Sequence, residues 1–264
     1  MAHLLIFGLG YTAGRIADAM RARGWQVNAT GSAGDIAFAD QDAVRAALAG
    51  ATHILSSVPP DRATGGDPVL DTYGGALQDK PLFYLSSTGV YGDRAGAWVD
   101  EATPTIAQSG EGRRNARAEA DLAWLDRGAR VFRLPGIYGP GRSALDRVQE
   151  GKARRIDLPD QVFSRVHVDD IVSGVVAALE RNAPSGAYNL GDDWPCSGND
   201  VTEHACRLLG LPLPPLESLE DANLSEMARG FYAENRRVAN GKAKRVLGWH
   251  LRYPTYVEGL AALL

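Results

Sequence analysis

The 264-residue chain is long enough for one sizeable core plus a smaller lobe, and 45% hydrophobic with 23% charged residues is ordinary globular composition. A net charge of −4 leaves no footprint for DNA or RNA, and two cysteines, Cys196 and Cys206, with no CxxC and no Cys/His cluster indicate neither a disulfide framework nor a metal site. No apolar stretch approaches the roughly 20 residues of a membrane span, and Gly8 and Gly10 break the N-terminal apolar run too early for a signal peptide, so the expected setting is the cytoplasm.

Leu4 to Phe7 is a continuous apolar run, as a parallel strand buried on both faces requires, and it leads straight into Gly8, Gly10 and Gly14. Ile16, Ala17 and Met20 then share one face of a helix that Gly24 closes. Strand, glycine turn and helix in the spacing Gly8-x-Gly10-x-x-Ala13, with Gly14 behind, form a dinucleotide fingerprint whose third small position is Ala13 or its neighbour. Gly8, Gly10, Tyr11, Thr12, Ala13 and Gly14 are therefore the candidate pyrophosphate contacts, made through backbone N–H groups at a helix start.

A second strand, Gln26 to Thr30, ends in Thr30, Gly31 and Ser32, with no carboxylate until Asp35 and no Arg at the tip. An acid there suits the ribose 2′-OH of NAD, whereas small residues leave room for the 2′-phosphate of NADP, so Thr30 and Ser32 lean the reading to NADP. A plain surface turn is the competing reading. Asp35 to Phe38 reads as a third short strand. Asp40 is placed to cap a helix over Gln41 to Ala49 or to face an adenine amino group. The fourth strand, from His53, carries Ser57 and Val58 to the sheet's carboxyl edge, where Pro59 and Pro60 force the chain off it. Asp67-Pro68 starts a helix that Gly74-Gly75 weakens.

The fifth strand, Leu82 to Ser86, runs into Ser87-Thr88-Gly89-Val90-Tyr91-Gly92, and further motifs follow in order: Asp100-Glu101-Ala102-Thr103-Pro104, Arg133-Leu134-Pro135-Gly136, His167-Val168-Asp169-Asp170, Tyr188-Asn189-Leu190-Gly191 and Leu247-Gly248-Trp249. On these residues, nearly the whole chain resembles the extended short-chain dehydrogenase/reductases, the NAD-dependent epimerase/dehydratase family. The resemblance implies a Rossmann-type doubly wound parallel sheet with a small C-terminal lobe, an NAD or NADP coenzyme, and Pro135 beside the nicotinamide. It implies Ser87 as the hydroxyl on a substrate oxygen, with Thr88 or Tyr91 assisting. A strand-end Ser bonding its own backbone, and a packed Tyr91, are the structural alternatives.

The family's usual Tyr and Lys, four residues apart on the next helix, are absent. Alignment puts Glu111 and Asn115 at those positions, no Tyr or Lys occurs from Gly92 to Ile137, and no Tyr in the chain is followed by Lys four residues on. The pattern is similar to atypical members of the family. Arg113, Arg114 and Arg117 on that helix either meet an anionic substrate or lie on a solvated face. His167 reads as structural on a strand Val162 to Val168, with Asp169 or Asp170 capping the next helix. The cations Arg236, Arg237, Lys242, Lys244 and Arg245 divide in the same way between a substrate anion and solvent.

The domain expectation is a coenzyme-binding core over 1–142, completed by 162–192, and a smaller lobe from 143–161 and 193–264. The expected function is an NAD(P)-dependent oxidoreductase or epimerase-like enzyme acting on a small hydroxylated, carbonyl or nucleotide-sugar substrate, as a monomer or homodimer. The alternative is a non-catalytic NAD(P)-binding sensor or interaction protein.

Overall fold

The computed structural model describes residues 2–108, 112–224 and 226–264. The first half runs β1 (His3–Phe7), α1 (Tyr11–Arg21), β2 (Gln26–Ala29), α2 (Gln41–Gly50), β3 (His53–Ser56), α3 (Pro68–Tyr73), β4 (Leu82–Ser87) and a short β5 (Trp98–Val99). Then follow α4 (Gly112–Asp126), β6 (Arg130–Leu134), β7 (Gly136–Tyr138), α5 (Ala144–Gln149), β8 (Arg155–Ile156), β9 (Arg165–His167), α6 (Val168–Glu180) and β10 (Gly186–Asn189). The remainder is α7 (Gly198–Leu209), β11 (Leu216–Glu217), α8 (Glu226–Tyr232), β12 (Arg237–Val238), α9 (Gly241–Leu247) and α10 (Tyr256–Ala261).

Six strands make one parallel sheet in the order β10-β6-β4-β3-β1-β2. The apolar run of β1 is explained by its central place: Leu4 and Ile6 pack with Ala13, Ile16, Ala17 and Met20 of α1 on one face, and Leu5 and Phe7 pack with Val44 and Leu48 of α2 on the other. Large side chains sealed this way are each worth about 1.5–3 kcal/mol. The chain steps from β1 outward to β2 and then back across to β3, so the strand order reverses beside β1, and the crevice at the carboxyl ends there is where ligands of such sheets bind.

Asp35 to Phe38 is not a strand. The turn is so tight at Gly34 that a Cβ there would strike the Ala29 carbonyl, and the Asp35 carboxylate folds back onto the Ala29 N–H at 2.6 Å and onto Asn28. Only a single bridge, Thr30 to Ile36, is left. The expected Val162–Val168 strand shrinks to β9, which pairs with β7 outside the main sheet, because Phe163 is drawn into a bridge with Cys196. The caps expected of Asp40 and Asp67 form: Asp40 accepts from Ala43 N, and Asp67 from Val69 N and Leu70 N. Asp169 and Asp170 do not cap α6. His167 does so through Nδ1, and Asp170 instead turns its buried carboxylate to the N–H groups of Arg252 and Tyr253 at 2.6 and 3.1 Å.

A further apolar cluster lies on α5, α7 and α10, with Leu145, Val148, Ala205, Cys206, Tyr256 and Leu260 packed on Tyr138 of β7. Each of these helices starts in a reciprocal capping box, built by Ser143 with Asp146, Ser197 with Asp200 and Thr255 with Glu258. Among the described residues no helix is long and apolar enough to cross a membrane.

Candidate functional site

Helix α1 starts on Gly10, and its first intrahelical bond is Gly14 N to Gly10 O at 2.8 Å. The N–H groups of Tyr11, Thr12 and Ala13 therefore precede the ladder and point from the positive end of an 11-residue helix. No side chain caps them, and a Cβ on Gly10 would meet nothing within 4 Å, so the approach is open. Gly8 stands at φ +82°, and a Cβ there would lie 3.0 Å from Ser57 Oγ and 3.1 Å from Val58 Cγ2. Ser57 fixes this arrangement by donating to the Gly8 carbonyl at 2.7 Å, and Thr30 Oγ accepts the Gly8 N–H at 3.2 Å. Gly31, at φ +114°, sits where a Cβ would be 3.3 Å from Leu9 N. The tip of β2 thus abuts the glycine corner, with Ser32 exposed beyond it, while Asp40 is exposed with its carboxylate on Ala43 N.

The fingerprint's third small position is Ala13, which is 1% exposed in the core, whereas a Cβ on Gly14 would face open space. Such a corner of bare amides, which side chains on Gly8 or Gly31 would fill, fits the pyrophosphate of a dinucleotide.

A cavity of about 370 Å³ opens at the carboxyl ends of β4 and β6. The sequence candidates Ser87, Thr88 and Pro135 all line it, together with Gly136 to Tyr138, Ser164, Arg165, Arg236 and Tyr256. Cavity and glycine corner share one segment: β7 forms a cavity wall, and two residues on, Pro140 O accepts the Tyr11 hydroxyl at 3.1 Å. Burial raises the Tyr11 pKa, with Arg15 and Arg142 pulling the other way. Ser87 Oγ accepts the Gly89 N–H at 3.1 Å, so the structural reading of this residue holds while its own proton stays available to the cavity.

Tyr91 is not brought to the cavity. It is fully buried, donates to Asn189 Oδ1 at 2.8 Å and accepts from Arg133 at 3.0 Å, and burial pushes its pKa up to about 12. Glu111 lies outside the described residues, as do the side chains of Arg113, Arg114 and Asn115. Arg117 reaches the Tyr84 hydroxyl at 3.5 Å. Of the C-terminal cations, Arg236 lines the cavity, paired with Glu234 at 2.6 Å. Arg237 bonds the Gly96 carbonyl, Lys242 bonds Ala187 O at 2.8 Å, and Lys244 pairs with Asp193 at 2.5 Å.

Sequence reasoning passed over two residues. Arg165 donates to Cys196 Sγ at 2.7 Å and lies over the Tyr256 ring. Nothing in its sequence neighbourhood marks it, because it is the pairing of β9 with β7 that brings it to the cavity. Asp192 is 2% exposed; one carboxyl oxygen accepts Trp194 N, and the other has no partner among the described residues. Burial pushes its pKa up to about 7, against the pull of Arg165. His167 Nε2 is likewise buried without a partner among the described residues, and burial lowers its pKa. Among the described residues no His/Cys/Asp/Glu group is arranged to hold a metal ion.

No family model matches the chain. It is 32% identical over 233 residues to a 3-diazoavenalumate denitrifying reductase of a Streptomyces species, covering 81% of this chain and 66% of that protein, so it spans just under two thirds of that relative's length. A solved protein of unknown function from Silicibacter pomeroyi is 41% identical, with a TM-score of 0.87 over 100% of this chain and 98% of that one. Two more distant structures share the fold. One is dTDP-glucose 4,6-dehydratase of Bacillus anthracis in complex with NAD (17% identity, TM-score 0.78, covering 100% and 95%), and the other a human epimerase family protein with NADPH (15%, 0.77, covering 99% and 98%).

Proposed function

We propose that the chain is a member of the NAD-dependent epimerase/dehydratase family of extended short-chain dehydrogenase/reductases, and that it is an NAD(P)-dependent oxidoreductase or epimerase-like enzyme acting on a small hydroxylated or carbonyl substrate. The observation that carries this reading is the corner at Gly8 and Gly10, whose uncapped N–H groups open beside a cavity lined by Ser87. The backbone of Gly10 to Ala13 holds the coenzyme's pyrophosphate, Ser57 and Val58 wall it in, and Pro135 flanks the nicotinamide. When bound, the coenzyme supplies hydride transfer. Ser87 donates its free proton to the substrate oxygen, and Thr88 stands beside it as a second hydroxyl. Support for NADP comes from the tip of β2, where Thr30, Gly31 and Ser32 carry no charge and the Asp35 carboxylate is turned back onto Ala29 N.

The absence of any Tyr or Lys from Gly92 to Ile137 favours a second reading, a non-catalytic NAD(P)-binding sensor. Fluorescence titration with NADH and with NADPH tests both; binding is expected, tighter for NADPH, and binding of neither overturns both. Turnover over a panel of aldehydes, ketones and nucleotide sugars then separates enzyme from sensor. Ser87→Ala is expected to lower kcat, and unchanged turnover in that variant removes the role given to Ser87.

A further inference from the structure

The cavity holds two guanidinium groups in different electrical situations. Arg236 is answered by Glu234 at 2.6 Å and also bonds Gly92 O at 2.8 Å. Arg165 has no carboxylate at ion-pair distance among the described residues. Its bonds go to neutral acceptors, Cys196 Sγ at 2.7 Å and Cys196 O at 3.4 Å, and its planar group lies 5.8 Å from the centre of the Tyr256 ring. These contacts orient the guanidinium and use only part of its donor set. The nearby Asp192 carboxyl, with a pKa of about 7, offsets the charge only in part near neutrality.

The rest of the wall is mostly apolar: Val162, Phe163, Val201, Leu260 and Phe231, the last 66% exposed at the mouth. At about 370 Å³ the space is at the small end for ligand pockets. A diphosphate would bring two negative charges to one cation without an ion-pair partner among the described residues and to an apolar wall, and burying an unpaired charge is costly. A carboxylate matches a single planar guanidinium.

We propose that this cavity selects a compact substrate with one carboxylate, seated on Arg165, and an apolar or aromatic body against Phe163 and Phe231, in preference to a nucleotide sugar. The proposal rests on the oxidoreductase reading given above, and its test separates the two.

The full chain is first titrated with NADPH and NADH, and the coenzyme-saturated protein is then titrated by calorimetry with trans-cinnamate, with cinnamamide and with UDP-glucose. Cinnamate is expected to bind about tenfold more tightly than its uncharged amide, as a charge-assisted bidentate contact warrants, and more tightly than UDP-glucose. Arg165→Gln levels cinnamate with cinnamamide and leaves coenzyme affinity unchanged, which also reports that the variant is folded. Where that variant does not fold, Arg165→Lys keeps the charge but loses the planar fork and gives an intermediate preference. Equal binding of acid and amide, no binding of cinnamate at millimolar concentration, tighter binding of UDP-glucose, or a preference that survives Arg165→Gln each overturns the proposal while coenzyme binding stands. Failure of both coenzymes to bind overturns the underlying reading, and the proposal falls with it.

Discussion

The Arg133 guanidinium and the Asp121 carboxylate meet at 2.6 Å with side chains only 3% and 0% exposed, joining β6 to α4. Ser86 donates to the same carboxylate at 2.7 Å, and Arg133 passes the chain of bonds on to Tyr91 and through it to Asn189 of β10. Removing one partner of a buried pair leaves the other charge unanswered, so Asp121→Ala is expected to cost about 3–5 kcal/mol in a denaturant titration. A loss below about 1 kcal/mol, the scale of a surface pair, would show that the network is not holding these strands together.

Gly8→Ala places a Cβ on a backbone at φ +82° and against Ser57 Oγ and Val58 Cγ2. The strain is about 1–3 kcal/mol, so the variant should fold while binding coenzyme at least about tenfold more weakly. Circular dichroism and nucleotide titration on one preparation check both halves.

Asp192 gives a pH dependence with a definite sign. Its folded-state pKa is raised to about 7, so between the ordinary Asp value and neutrality the native state binds more protons than the unfolded chain. This contribution to stability is full below about pH 4, the ordinary Asp range, and is lost as pH rises through about 7. Asp192→Asn, which keeps an oxygen for Trp194 N, should therefore match the parent chain near the acid end and exceed it above neutrality. Thermal unfolding across that window measures the difference; a gap that does not grow with pH contradicts the assignment.

Gly259 of α10 lies where any Cβ would collide with the Tyr138 hydroxyl, in a helix that closes one side of the cavity. Gly259→Ala must displace Tyr138 from β7 or push α10 outward. Overpacking of this kind costs about 1–3 kcal/mol, and a crystal structure of the variant should show the tyrosine moved. An unmoved tyrosine with unchanged stability would contradict the packing described here.

The motifs that follow one another in the sequence turn out to be contacts. Glu101 of Asp100-Glu101 accepts the Asn189 N–H at 2.7 Å, Tyr91 meets Arg133, and Trp249 Nε1 donates to Asp170 O at 2.9 Å. The central strands of the sheet were legible because β1, β3, β4 and β6 are short, largely apolar runs bounded by turn residues. The glycine corner was legible because backbone geometry there demands a residue type. Arg165 and Asp192 were not legible: what singles them out is burial and the company of residues distant in the chain, such as Cys196 and Trp194. The short strand beyond β2 was misread because Asp35 spends its carboxylate on Ala29 N, a local bond that alternation of side chains does not reveal.

A Cβ on Gly31 would stand 3.3 Å from Leu9 N, so the rim that would discriminate between coenzymes lies directly against the turn that would grip them. An evolving lineage, or an engineer, seeking a different nucleotide preference has to work through the exposed Ser32, because Thr30 itself holds the Gly8 N–H. Any side chain at position 31 would disturb the grip before it altered the choice.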